Sequence, residues 1–249
     1  MAIVYGVHAV SEAMTARRVS RLIHERGAGP RVDALVARAH ELRIPIDTVD
    51  RRALEKITRG GVHQGVAAEL QKMAAYTIEE LVQDAAGPAL LVVLDGIEDP
   101  QNLGAILRSV DAAGAHGIIR QARHSAPLEG ATARASAGAI SHVRVATVVN
   151  ISRALEELKE LNVWTVGLDA SAEEPYDAVD FTQPTALVLG AEGTGLRRLV
   201  RETCDRLVGI PMAGEVSSLN VSVSAGIALF EAARQRRRDT AKPATQERR

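Results

Sequence analysis

Aromatic residues are scarce in this 249-residue chain: Phe, Trp and Tyr together make up 2% of it. That argues against nucleic-acid modules that stack bases on aromatic platforms, so any RNA contact is expected to run through phosphate, sugar and shape. Cysteine is nearly absent too. Cys204 alone can neither close an internal disulfide nor build a zinc site, and the seven histidines show no metal-ligand spacing, so no metal is expected. No apolar run approaches the ~20 residues of a membrane-crossing helix. The opening MAIVYGVHAV has no basic stretch ahead of its apolar residues and reads straight into a strand. No signal peptide is expected, and a reducing cytoplasm is the natural setting.

Net charge is also close to nil, at −1, which taken whole argues against a simple nucleic-acid binder. Its distribution says more. Residues 1–72 carry 12 Lys+Arg against 8 Asp+Glu, and residues 232–249 carry 7 against 2. Between them, residues 73–150 hold 5 against 8 and residues 151–231 hold 6 against 13. Basic ends around an acidic middle suit a polyanion held at the ends while chemistry happens elsewhere. Solvated helix faces and a basic tail explain the same balance equally well.

What is present is ample apolar matter, 46% of the residues, enough for a real core. Residues 1–72 read as a small α/β unit. Strands are expected at Ala2 to Val4, Ile46 to Val49 and Val66 to Leu70, with a helix marked by Val32, Leu35, Val36, Ala39 and Leu42. Residues 73–88 read as a linker with a short helix opened by the capping pattern Thr77-Ile78-Glu79-Glu80. From Ala89 a second domain alternates apolar runs (Ala89 to Leu94, Gly117 to Ile119, Val163 to Leu168, Ala186 to Leu189) with helical spacing. It closes with a long helix, Val221 to Arg236. That alternation predicts a mostly parallel sheet covered on both faces, over residues 89–237. Residues 238–249 read as a disordered basic tail.

Three segments of the second domain carry candidate chemistry. The first, DGIEDPQNLGAILRS (95–109), leaves a buried strand and opens a helix, with Asn102 placed as N-cap and Arg108 about two turns on. By itself it is an ordinary strand-turn-helix. The second is LVLGAEGTGLRR (187–198). Three glycines in six residues admit close approach of a ligand to backbone. It lacks the Gly-Lys-Ser/Thr of a nucleotide-triphosphate loop, and its order is not G-x-G-x-x-G, which disfavours a nicotinamide-dependent dehydrogenase. Glu192 would repel a pyrophosphate and suits hydroxyl or ammonium recognition. A glycine-rich turn with a solvated glutamate is the plain alternative. The third, IPMAGEVSSLNVSVSAGIALFEAARQR (210–236), clusters Ser217, Ser218 and Asn220 before the long helix. Capping needs only one of them, so the others read as a ligand wall.

In order and spacing together, these segments resemble the three signature motifs of the SpoU/TrmH branch of the SPOUT RNA methyltransferases. VYGVHAV and GVHQGVAAEL look like the N-terminal domain of bacterial 23S rRNA (guanosine-2′-O-)-methyltransferases, which modify a guanosine in the peptidyl-transferase centre. RHSAPLEGATARASAGA fits as well. The resemblance covers nearly the whole chain and thins over residues 11–60 and beyond Arg238. Glu215 stands where the family often has serine.

The resemblance implies an α/β SPOUT catalytic domain with a C-terminal trefoil knot, preceded by a small ribosomal-protein-like α/β RNA-binding domain. It implies S-adenosyl-L-methionine as methyl donor, held by Leu189, Gly190, Ile210, Met212, Ser218 and Leu219, and a homodimer; the long helix Val221 to Arg236, apolar along one side, is the candidate for its packing. It implies transfer to a ribose 2′-OH of RNA, with Asn102, Arg108, Glu192, Ser218 and Asn220 as the catalytic set. A guanidinium stays protonated, so Arg108 is expected to clamp a phosphate and stabilise the developing alkoxide rather than act as a literal base. Arg17, Arg18, Arg21, Arg51, Arg52 and Arg59, with His63 and Gln64, are the expected RNA contacts. His63 reads as a hydrogen-bonded loop histidine before a catalytic one. Two alternatives stand: a ribose methyltransferase for tRNA or another rRNA site, and a non-catalytic RNA-binding protein with a degenerate pocket.

Overall fold

The computed structural model describes residues 3–15, 17–70 and 75–240. The chain divides into two compact units, Met1–Met73 and Ala74–Arg249.

The first unit runs β1 (Ile3–Tyr5), α1 (Val7–Thr15), β2 (Val19–Glu25), α2 (Pro30–Glu41), β3 (Ile46–Val49), α3 (Arg51–Ile57) and β4 (Val66–Leu70). The four strands form one sheet in the order β1-β4-β2-β3. β2 and β3 are parallel, and β4 is antiparallel to both β1 and β2. Val10 and Met14 of α1 and Val32, Leu35 and Ala39 of α2 pack on one face, against Leu22, Val66 and Ala68. Leu54 of α3 covers Ile23 and Ala67 on the other. The helix expected from Val32 to Leu42 is α2, and Ala2 of the first expected strand lies outside the described residues.

The second unit begins with β5 (Ala75–Tyr76) and α4 (Ile78–Gln83), inside the stretch that reads as a linker. β5 pairs with a later strand, and Ile78 and Leu81 of α4 enter the core. Met73 lies outside the described residues. The Thr77 capping box is formed: Glu80 N donates to Thr77 Oγ1 at 3.1 Å, and Thr77 N to Glu80 Oε2 at 2.7 Å. There follow β6 (Leu90–Asp95), α5 (Pro100–Ala113), β7 (Gly117–Gln121), α6 (Ala131–Ala135), β8 (Val145–Val148), α7 (Ile151–Glu160), β9 (Trp164–Leu168), β10 (Thr185–Gly190), α8 (Arg198–Thr203), β11 (Arg206–Val208) and α9 (Val221–Thr240).

Seven strands form a parallel sheet in the order β11-β9-β10-β6-β7-β8-β5. β6 and β10 lie near its centre, and every residue of both is buried, as near-continuous apolar runs require of strands covered on both faces. α4, α7 and α8 cover one face, where Leu155 and Leu158 pack with Leu91, Val93 and Val188. α5 and α9 pack together, with α9 also against β10. Strand order reverses between β6 and β10, the switch point at which open α/β sheets bind ligands beyond their carboxyl ends. Among the described residues, no helix is long and apolar enough to cross a membrane.

α9 runs to Thr240, beyond Arg236 and into the stretch that reads as tail; residues 241–249 lie outside the described ones. Arg236 anchors this end of α9. Its guanidinium donates to the carbonyls of Phe181 (2.8 Å), Pro88 (2.5 Å), Ala89 (3.0 Å) and Gln183 (3.1 Å), fastening the helix to the starts of β6 and β10. Removing a charged donor strands several acceptors, at about 1–3 kcal/mol for each one that is buried. Arg236→Ala should therefore lower the thermal midpoint of the second unit by several degrees, and Arg236→Lys should recover only part of the loss; a melting curve checks both.

Candidate active site

The glycine loop after β10 is built by close packing. A Cβ placed on Gly190 would lie 2.1 Å from the carbonyl carbon of Gly195 and 2.3 Å from Leu196 N, so only glycine lets the loop fold back on the strand end. Ala191 and Gly195 exchange backbone hydrogen bonds of 3.1 and 2.9 Å across the loop. Gly193 and Gly195 take left-handed φ values of 79° and 67°. The far end of the loop is pinned by Asp95, which pairs in register with Gly190 at the carboxyl end of β6. Asp95 is fully buried and accepts from Arg197 N at 2.9 Å and from Arg197 Nε at 2.6 Å. Arg197 also donates to Gln121 Oε1 at 2.9 Å.

Asn102 is not the N-cap of α5. Asp99 is: its carboxylate accepts from Gln101 N and Asn102 N at 3.1 and 3.2 Å, with Pro100 at the first helical position. Aspartate before proline is the stronger start, since proline's missing N–H is an orphan position anyway. Asn102 thus sits at the third helical residue with its side chain released from capping, and it is buried. It donates to Glu192 Oε2 at 3.0 Å. Asn220 donates to Asn102 Oδ1 at 2.9 Å and to Glu192 Oε1 at 3.3 Å. Asn220 Oδ1 meanwhile accepts from Ser222 N and Ser222 Oγ at the start of α9, which fixes the amide so that its NH₂ faces the other two. One residue from each segment therefore meets in a closed triangle.

Two cavities open beside this triangle. The larger, about 720 Å³, is lined by Leu189, Gly190, Ile210, Met212, Ser218 and Leu219, with Glu192 and Asn220 on its wall. The smaller, about 520 Å³, is lined by Asp95, Glu98, Asp99, Asn102, His124 and Arg197. Ala191, Glu192, Thr194 and Val221 line both. The larger cavity suits a nucleoside-sized ligand by volume. Among the described residues, no hydrogen bond engages the peptide groups of Ile210, Met212, Ser218 or Leu219, so its wall offers free N–H and C=O groups to an adenine edge and a ligand's polar tail. On those grounds the residues fit S-adenosylmethionine. On the rim, burial raises the Asp169 carboxyl, but hydrogen bonds from Ser171 and the Arg201 guanidinium, 2.6 Å away, outweigh it and hold it below the usual carboxylate range.

Arg108 lines neither cavity. It is exposed on α5 and makes no hydrogen bond or ion pair with a described residue. In the first unit the expected RNA contacts fall into separate groups. Arg17 and Arg18 precede β2 at one end of the parallel pair β2 and β3, while Arg51 and Arg52 open α3 just beyond the other end, after β3. Arg21 pairs with Asp47 (3.0 Å) and Glu69 (3.4 Å), and Arg51 with Glu55 (3.2 Å). Arg59 is exposed with φ 53°, and Arg18 is buried. His63 is buried and accepts from Gly65 N at 3.1 Å; Gln64 Oε1 accepts from Val7 N at 3.1 Å.

Residues 89–230 match the SpoU rRNA methylase family model, and residues 3–75 match the RNA 2′-O ribose methyltransferase substrate-binding model. The chain belongs to the SpoU rRNA methylase family. Within that family it is 45% identical over 240 residues to the 23S rRNA (guanosine-2′-O-)-methyltransferase RlmB of Pseudomonas syringae pv. tomato, covering 94% of this chain and 95% of that protein. It is 42% identical over 241 residues to a putative TrmH family tRNA/rRNA methyltransferase of Bacillus subtilis, covering 94% and 95%. Among solved structures it resembles the SpoU methyltransferase AviRb of Streptomyces viridochromogenes, free and in complex with AdoMet, with a TM-score of 0.70, 29% identity and coverage of 95% of this chain and 90% of AviRb. This SpoU-family chain is thus an S-adenosylmethionine-dependent methyltransferase.

Sequence reasoning passed over the Asp95–Arg197 clamp and the Asp169–Arg201 rim. Asp95 stood in view as the last residue of an apolar strand, and a carboxylate at a buried strand end was the available signal.

Proposed function

We propose that this chain transfers a methyl group from S-adenosylmethionine to a ribose 2′-OH of 23S rRNA, on a guanosine in the peptidyl-transferase centre. The observation that carries the reading is the triangle of Asn102, Glu192 and Asn220, where segments far apart in the chain meet between two cavities: Asn102 lines the smaller, Asn220 the larger and Glu192 both. The full-length similarity to 23S guanosine methyltransferases supports the substrate.

When bound, S-adenosylmethionine supplies a methyl carbon that is already electrophilic. The work left to the chain is alignment and the handling of one proton. Leu189, Gly190, Ile210, Met212, Ser218 and Leu219 hold the donor. Asn102 and Asn220 orient the ribose, and Glu192, already gripped by both amides, sets their geometry. Ser218 stands between donor and sugar. Arg108 stabilises the oxyanion and clamps the neighbouring phosphate.

Arg108 cannot do this from the cavity walls of its own chain, and a second copy resolves the difficulty. α9 leaves Val223 and Phe230 about half exposed, with Ile227 between them at helical spacing, an apolar stripe beside α5. We propose a homodimer packed through this stripe, with Arg108 serving a cleft at the interface. The trefoil knot belongs to the same reading. Residues 209–220 carry the chain from β11, at the sheet edge, past the ends of β9 and β10 to reach Asn102. RNA is held through the first unit, and the setting is the cytoplasm.

Mapping 2′-O-methyl groups in cells with and without the protein tests the function. Loss of methylation at one 23S guanosine is expected. An unchanged rRNA pattern, or loss confined to tRNA, would overturn the assignment.

A further inference from the structure

The smaller cavity has no assigned occupant. It shares Ala191, Glu192, Thr194 and Val221 with the donor cavity, so a methyl group leaving the larger cavity meets its acceptor across that wall. At about 520 Å³ it falls within the range of small-ligand pockets. The acceptor belongs to a polyanion, yet four carboxylates border the cavity: Asp95, Glu98, Asp99 and Glu192.

Three of the four are spent. Both Asp95 oxygens are taken by Arg197. Both Asp99 oxygens cap α5. Both Glu192 oxygens accept from the two asparagine amides. Glu98 remains, and its partner is His124, with Nδ1 3.3 Å from Glu98 Oε1. The basic side chains are fewer. Of the two bordering the cavity, Arg197 is committed to Asp95 and Gln121. His124 is the other, and its side chain is 72% exposed, so packing does not require it.

The backbone at His124 is left-handed, as it is at six other described non-glycine residues. Its φ is 53°, in the left-handed region, where a non-glycine side chain costs roughly 1–2 kcal/mol. Asn and Asp relieve that cost by local hydrogen bonds; the His124 ring goes to Glu98 instead. Exposed side chains kept in such a conformation cluster at ligand clamps.

We propose that the smaller cavity is the pocket for the target nucleotide and that His124 is its phosphate contact, held at the rim by Glu98. The ligand class is a single ribonucleotide turned out of its stack, with its ribose toward Asn102 and Glu192 and its phosphodiester toward the imidazole. A cavity of about 520 Å³ has room for one nucleotide but not for its stacked neighbours, so the residue that enters it leaves its stack. This assignment rests on the ribose-methylation reading and adds the pocket and the group that seats the phosphate.

The test uses the full chain, a transcript of the peptidyl-transferase region, and two variants. His124→Gly suits the left-handed backbone and should fold. His124→Arg keeps a hydrogen-bond donor at this position, on a longer arm. The expected result is a KM for RNA raised about tenfold in His124→Gly, with the Kd for S-adenosylmethionine within twofold of the wild type. In His124→Arg, KM returns to near the wild-type value. An unchanged KM in His124→Gly, or a His124→Arg variant as impaired as His124→Gly, overturns the assignment while leaving the methyltransferase reading intact. A wild-type chain that methylates no RNA would overturn that reading and this one with it.

Discussion

Arg108→Ala should lower the rate of methyl transfer by about 10²–10³-fold while leaving the Kd for S-adenosylmethionine within twofold, the scale seen when one preorganised donor to a developing oxyanion is removed. The split follows from position. Arg108 lines neither cavity and bonds to no described residue, so nothing in the donor cleft depends on it. The guanidinium stays charged at every working pH, so its removal takes away a fixed positive charge rather than a titrating base. Single-turnover rates and calorimetric titration of the cofactor separate the two effects. Equal loss of binding and turnover would place Arg108 in the donor site and contradict its role as oxyanion stabiliser. Arg108→Lys keeps the charge but not the planar fork, and should recover only part of the rate.

Gly190→Ala should have the opposite signature, a loss at the level of binding. The added methyl would sit 2.1 Å from the backbone of Gly195, and backbone cannot swing aside as a flexible side chain can. The loop would have to lift from β10, carrying Glu192 out of the triangle and widening the donor cavity. Overpacking of this kind costs about 1–3 kcal/mol, which, if borne by the bound state, weakens cofactor affinity roughly ten- to a hundredfold. Gly193→Ala is the control. Its Cβ meets nothing within 4 Å, so only the strain of φ 79° is felt and cofactor affinity should change little. Calorimetry on both variants checks the pair. Normal affinity in Gly190→Ala would mean that the loop does not shape the donor site.

The parts of this fold legible in the sequence were those whose residues declare themselves locally. β6 and β10 read as apolar runs because both faces of a central parallel strand are covered. β5 and β8, of two and four residues, and α6, of five, carry too little pattern to stand out, and they exist because neighbours pair with them or pack on them. At the site, the types and order of Asn102, Glu192 and Asn220 were visible. Their contacts were not, since they join residues 90 and 118 positions apart. Asn102 reads as a cap because asparagine is a good one; Asp99, followed by proline, is better placed, and its success frees Asn102 for the site. Arg108 was the residue sequence spacing served least well. Six positions after Asn102 on a helix is a different face, so its distance from the cavities follows from helical geometry.

The central claim is that donor cleft and sugar meet at the Asn102–Glu192–Asn220 triangle, so that the methyl group lands on ribose oxygen and not on a base. Incubating the chain with S-adenosylmethionine labelled in its methyl group and a 23S rRNA fragment, then hydrolysing the RNA in alkali, tests this directly. Because a 2′-O-methyl blocks cleavage of the adjoining phosphodiester, the account predicts all label in an alkali-resistant dinucleotide beginning with guanosine. Label in ordinary mononucleotides would mean methylation of a base and would contradict it.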